Sequence, residues 1–170
     1  MPLPEIDLRV QDEFWMRRAF ELAAQAEALN EVPVGAVIVR NNEIIGEGFN
    51  QSITRHDPTA HAEIVALRIA ALREQNYRIV GATLYVTLEP CTMCVGALVH
   101  ARIARLVYGT LEPKSGAVES KSRLLESGHF NHRLECRGGV YAAECQQQLS
   151  TFFQRRRDEI KQKKITINIE

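Results

Sequence analysis

His61-Ala62-Glu63 and Pro90-Cys91-Thr92-Met93-Cys94 place three metal-ligating side chains and one carboxylate in two short segments of a 170-residue chain. Zinc takes imidazole nitrogen and thiolate sulfur in a tetrahedral shell, and three protein donors leave the fourth corner free for water, whereas structural sites are usually closed by four. His61, Cys91 and Cys94 are therefore the expected ligands of one Zn2+ per subunit, and Glu63 the expected proton donor and acceptor. Zinc can lower the pKa of its water to about 7, and a positioned carboxylate can carry protons to a substrate and its leaving group. That combination suits hydrolytic deamination. Attack on an amine-bearing aromatic carbon needs a ring nitrogen protonated first and ammonia protonated last, two tasks that one glutamate can perform in turn.

The same residues leave other uses open. His56 stands five positions before His61, so His56, His61, Cys91 and Cys94 could close a four-ligand stabilising site. A Cys-x-x-Cys pair alone also serves thiol redox chemistry, in which the upstream His-x-Glu has no task. A noncatalytic RNA-binding module held together by zinc would make Glu63 incidental.

The elements that must position these groups can be read from patterning. Residues 11–29 carry an apolar face through Met16, Phe20, Ala23, Ala24 and Ala28, which predicts a helix. Val34–Val39 and Ile44–Phe49 flank Asn41-Asn42, a pair tolerant of positive φ, which predicts a β-hairpin. Asp57-Pro58-Thr59 reads as a helix start, with His61 in the first turn of a helix continuing through Ile64, Leu67, Ala71 and Leu72. Thr83–Leu88 is rich in β-formers and is cut off by Glu89-Pro90, after which Cys91–His100 can form a helix that begins at both cysteines. Ile103–Tyr108 predicts a further strand and residues 140–163 a long C-terminal helix; 111–132 lack a clear period and read as loop with one short helix. The alternation predicts a three-layer α/β/α fold, a central mixed β-sheet flanked by helices.

Length and composition bound the rest. The expected organisation is a single domain over 1–170, with a core at about 11–161, a short N-terminal extension and a basic C-terminal tail. Hydrophobic residues at 45% and charged residues at 25% are ordinary for a globular protein, and no apolar run approaches the roughly 18 residues of a membrane span, so no membrane partner is expected. Met1-Pro2-Leu3-Pro4-Glu5 lacks a basic stretch leading into an apolar one, which makes the cytoplasm the expected compartment. Cys136 and Cys145 are expected to be buried as small hydrophobes. A net charge of zero argues against a uniformly basic nucleic-acid binder, yet 155–164 hold six basic residues against two acidic ones.

Beyond the metal segments, Val32–Val37, Gly46–Asn50, Arg55–Glu63, Thr87–Cys94 and His100–Ile103 match one family in order and spacing. Over roughly residues 11–161 the chain resembles the zinc-dependent nucleoside and base deaminases, and within them the bacterial deaminases that act on tRNA adenosine. The resemblance implies a cytidine-deaminase-like fold, a flipped wobble adenosine (position 34) of a tRNA anticodon loop converted to inosine, and a homodimer whose two subunits help contact RNA. It also implies that Asn50 contacts the flipped base through its amide and that Val34 and Ala62 shape the pocket. Guanine and cytosine deaminases share the two zinc segments, so deamination of a free base or nucleoside stays open.

Segments that resemble the tRNA enzymes lie downstream and name the expected RNA contacts: Glu112, Lys114, Asn131, Phe152, Phe153, Arg155, Arg156 and Arg157. Glu112 stands where that family usually has Asp. An RNA loop needs phosphate neutralisation and flat faces for unstacked bases, each stack being worth roughly 1–3 kcal/mol, and the C-terminal helix can offer both. At least one of the two phenylalanines is more often expected in the core.

Overall fold

The computed structural model describes residues 7–167; the expected N-terminal extension falls largely outside them. Ten elements follow in order: helix α1 (Leu8–Ala28), strands β1 (Gly35–Arg40) and β2 (Glu43–Phe49), helix α2 (Ala62–Glu74), strand β3 (Thr83–Leu88), helix α3 (Thr92–His100), strand β4 (Arg105–Thr110), a 3-10 turn (Leu124–Glu126), strand β5 (Glu135–Arg137) and helix α4 (Ala142–Ile167). The strands form one mixed sheet in the order β2-β1-β3-β4-β5. β1 runs antiparallel to β2 and β3, while β3, β4 and β5 are parallel.

Strand alternation sorts the core into two halves. Ala36, Ile38, Leu84, Val86 and Leu106 pack against α2 and α3. Val37, Val39, Tyr85 and Val107 meet Trp15, Met16, Ala19 and Leu22 of α1 on the opposite face, so the layers are α/β/α as predicted. The β1–β2 hairpin turns at Asn41 and Asn42, with φ of 52° and 60°, the positive pair that a tight two-residue turn requires. On β2, a Cβ at Gly48 would sit 2.6 Å from the carbonyl oxygen of Ala62. The missing side chain lets the first turn of α2 lie directly on the strand.

A buried carboxylate joins α1 to three strands. Asp12 accepts hydrogen bonds from Arg105 Nη1 at 2.6 Å and Nη2 at 2.8 Å, from Arg137 Nη1 at 2.5 Å and from the Tyr85 hydroxyl at 3.1 Å. Burial opposes its charge, but the Arg105 hydrogen bonds and positive charge, with those of Arg137 and Tyr85, outweigh it and hold the carboxyl below its usual range.

Three expectations need correction. The Asp57-Pro58-Thr59 segment is a closed turn and not a helix start: Asp57 Oδ1 accepts from the Thr59 amide at 2.8 Å and hydroxyl at 2.7 Å. The helix begins at Ala62, which leaves His61 outside the first turn as the N-cap residue. The strand expected at Ile103–Tyr108 starts instead at Arg105, because the Ala104 and Arg105 amides are taken by the carbonyl of Ala82. Cys145 is buried, but Cys136 is exposed on β5, a three-residue edge strand without a sequence signal.

Candidate active site

Two helix beginnings converge at the end of the sheet where β2, β3 and β4 finish and β1 begins. His61 caps α2 with extended backbone, φ −71° and ψ 155°, and Cys91 caps α3 in the same way, φ −79° and ψ 174°. Neither side chain closes a capping hydrogen bond on its own helix, so both are free to turn toward a shared point. Cys94 reaches that point from the first turn of α3 and is fully buried.

His61 Nδ1 lies 3.6 Å from Cys91 Sγ and 3.6 Å from Cys94 Sγ. A tetrahedral zinc with bonds of about 2.3 Å to sulfur and about 2.0–2.1 Å to nitrogen has sulfur-to-nitrogen edges of about 3.5 Å, so the spacing of these atoms fits zinc. The donors lie within 4.8 Å of one another, and among the described residues His61, Cys91 and Cys94 are the only such group of three or more. His56 is exposed on a left-handed turn, φ 51°, and stays outside the group. A four-ligand site closed by His56 is therefore not built.

The two thiols behave as a coupled pair. A hydrogen bond from the Cys94 thiol, with further help from His61, brings Cys91 down to about 4, although burial pushes the other way. Donating that bond, together with burial, pushes the Cys94 thiol well up. Two thiolates side by side, one buried and one half-buried, need a cation between them, and a coordinated metal deprotonates bound thiols outright.

Glu63 follows on the first turn of α2, only 4% exposed. Burial raises its carboxyl to about 7, against the lowering pull of its own amide and of His61. Such a group can both take and give a proton near neutrality.

The capping duty that His61 does not perform falls to Asn50. Its Oδ1 accepts the Ala62 amide at 2.8 Å, and its backbone N–H donates to the carbonyl of Val34 at 3.1 Å. Asn50 thus pins the start of α2 between the end of β2 and the approach to β1. Val34 and Ala62 are buried at this junction.

Of the downstream residues, Glu112, Lys114, Phe153 and Arg157 are brought together around a cavity of about 430 Å³ whose inner wall includes Val32 and Leu88. Phe153 is 43% exposed there. Phe152 is corrected to core: it is buried, with the Arg155 guanidinium 5.4 Å from its ring centre, so its face meets protein and not a base. Arg155 and Arg156 each bond to Glu159 at 2.8 Å, whereas Arg157 donates to the neutral Gln154 at 2.7 Å. Asn131 is exposed between the 3-10 turn and β5 and does not line this cavity.

Sequence reasoning passed over Glu89, taking it only as the end of a strand. It is 2% exposed and accepts backbone amides of Glu112, Val118, Glu119 and Ser120 at 2.8–3.1 Å. A charged residue between a β-rich run and the Pro-Cys-x-x-Cys segment was the available signal.

Comparison with known proteins agrees with this geometry. The cytidine and deoxycytidylate deaminase zinc-binding region matches residues 9–110, more than half of the chain. A tRNA-specific adenosine deaminase of Haemophilus influenzae is 58% identical over 151 residues, covering 88% of this chain and 87% of the relative. A structure solved in work on A-to-I editing by tRNA:A34 deaminases superposes with a TM-score of 0.78 at 41% identity, covering 80% of this chain and 99% of that one. Guanine deaminase of Bacillus subtilis superposes with a TM-score of 0.57 at 41% identity over 58% of this chain and 64% of that one. With a zinc-shaped donor set at its centre, the chain belongs to the cytidine and deoxycytidylate deaminase family defined by that zinc-binding region.

Proposed function

We infer that the chain hydrolytically deaminates adenosine to inosine at the wobble position of a tRNA anticodon loop. The observation that carries the reaction is the three-donor group of His61, Cys91 and Cys94 with the buried carboxyl of Glu63 beside it. The substrate is supported by the tRNA-specific adenosine deaminase relative, which spans most of both chains.

Bound zinc supplies Lewis acidity that makes water a nucleophile near neutral pH. The remaining work is done by side chains. Glu63 accepts a proton from the attacking water and delivers it to a ring nitrogen of adenine, so that the ring carbon bearing the amine can be attacked. It then transfers the second proton to the departing amine, and adenosine plus water becomes inosine plus ammonia. Asn50, held by the Ala62 and Val34 backbones, presents its amide to the flipped base. Buried Val34 and Ala62 exclude water around it.

Phe153 offers a face to an unstacked base, and Arg157 and Lys114 neutralise phosphate at the cavity rim. Glu112 keeps the negative charge of that rim, and Arg155, Arg156 and the exposed Asn131 contribute from farther out. The homodimer is carried by the family resemblance, and sedimentation at micromolar concentration tests it. No described helix is long and apolar enough to cross a membrane, and the cytoplasm is the proposed compartment.

A second reading, deamination of a free base, is favoured by the guanine deaminase neighbour. One experiment separates the two. Zinc-loaded protein is incubated with a tRNA carrying adenosine 34 and, separately, with free guanine, cytosine and adenosine. Inosine at position 34 without ammonia release from the free compounds supports the tRNA reading; the reverse pattern rejects it.

A further inference from the structure

We propose that Glu89 is a positioning residue that locks the outer wall of the substrate cavity onto the strand end carrying the zinc ligand Cys91. The proposal rests on the tRNA reading for its main readout and on hydrogen bonding for its structure.

Glu89 lies between β3 and α3, two residues before Cys91, and its own amide is fixed by the carbonyl of Thr110 at 2.9 Å. Its side chain gathers one loop. Oε1 accepts the Glu112 amide at 3.1 Å, and Oε2 accepts the amides of Val118, Glu119 and Ser120 at 3.1, 2.8 and 3.0 Å. The Ser120 hydroxyl donates to Oε1 as well. Adjacent backbone joins the same loop to the metal segment: the Ala117 amide donates to the Pro90 carbonyl at 2.9 Å, and Gly116 pairs with Cys91 in an isolated antiparallel bridge.

The loop so held carries Glu112, Pro113 and Lys114, which form the outer wall of the cavity. Five donors on one buried carboxylate fix the loop's position, because losing the acceptor leaves several desolvated amides without partners. Fit is close enough that glycine is required at 116, where a Cβ would stand 2.4 Å from the Glu89 carboxylate oxygen. A displaced wall weakens substrate binding while leaving the donors of His61, Cys91 and Cys94 and the Glu63 carboxyl in place.

The test compares Glu89→Gln, Gly116→Ala, Glu89→Ala and the Glu89→Ala/Gly116→Ala pair, each prepared with zinc and assayed on adenosine-34 tRNA. At one zinc per chain, each single variant is expected to raise KM about tenfold with kcat within about twofold. In the Glu89→Ala background, Gly116→Ala is expected to add less than about twofold, since no carboxylate remains to collide with the new methyl. Unchanged KM, a kcat loss that merely tracks zinc content or folded fraction, or additive effects in the pair would overturn the proposal.

Ser120→Ala removes only the hydroxyl contact and keeps the test available if the other variants do not fold; its KM should rise about twofold to threefold, and an unchanged value counts against the proposal. If the wild type converts no tRNA, the substrate reading has failed, and hydrogen exchange decides the inference separately. The amides of Glu112, Val118, Glu119 and Ser120 should then exchange at least about tenfold faster in Glu89→Gln, or in Ser120→Ala to a smaller degree, with the sheet amides unaffected. Equal exchange rates would overturn it.

Discussion

The two helical layers on either side of the sheet use charge differently. On one side, α2 and α3 are short, and they present their first residues to a common point where His61, Cys91, Cys94 and Glu63 are buried or half-buried. On the other, α1 and α4 are long; α1 spends its buried carboxylate on Arg105 and Arg137, while α4 displays arginines that mostly pair with one another's neighbours. Helix beginnings supply converging, rigid groups suited to bond chemistry, whereas helix flanks supply exposed charge suited to a long, flexible substrate.

This contrast predicts that damage on the two sides has separable consequences. The largest effect is expected from Cys94→Ala, which removes a buried member of the candidate donor set: zinc content should fall far below one per chain and turnover should disappear, as read by metal analysis and inosine formation. Retained zinc with retained activity would break the division of labour.

Next comes Asp12→Ala on the opposite layer. Removing one member of a buried ion pair costs about 3–5 kcal/mol, so the melting temperature should drop sharply while the surviving folded protein keeps one zinc per chain. The sign with pH follows from the lowered carboxyl of Asp12. Stability from Asp12 is present above its unfolded value of about 3.9 and is lost as pH falls through the lower folded value, so the wild type should lose it below about pH 4. Asp12→Asn should flatten that part of the acid-unfolding curve; an identical curve would dismiss the charge argument.

Smaller effects are expected along α4. Arg157→Ala should weaken tRNA binding several-fold and reduce the slope of log affinity against log salt by about one, with kcat little changed. Arg156→Ala should do less, because its guanidinium is already shared with Glu159. Equal losses at both positions would show that the internal pairing does not matter. Phe153→Ala should cost about 1–3 kcal/mol of RNA affinity through lost stacking, measured by binding titration.

Legibility in sequence divided along the same lines. The cysteine half of the candidate donor set and the hairpin were readable because each rests on near neighbours: Cys-x-x-Cys within one helix start, and Asn41-Asn42 at a turn whose φ values those residues tolerate. The exact start of α2 was misread because Asp57 bonds to Thr59 locally and Asn50, twelve positions away, takes over the cap. Asp12 gave no signal at all, since its partners Arg105 and Arg137 are 93 and 125 positions distant. Glu89 was hidden for a related reason: a carboxylate that accepts backbone amides leaves no complementary side-chain pattern to find. The two phenylalanines could not be told apart by spacing, and only helix rotation decides that Phe152 is core and Phe153 exposed.

Inosine mapping at nucleotide resolution, in total tRNA treated with zinc-loaded wild type and zinc-loaded Glu63→Ala, tests the central claim most directly. Conversion confined to position 34 in the wild type, with a fall of at least about 100-fold in Glu63→Ala at equal zinc content, is the predicted result. Full conversion by Glu63→Ala, or no inosine from the zinc-loaded wild type, would contradict it.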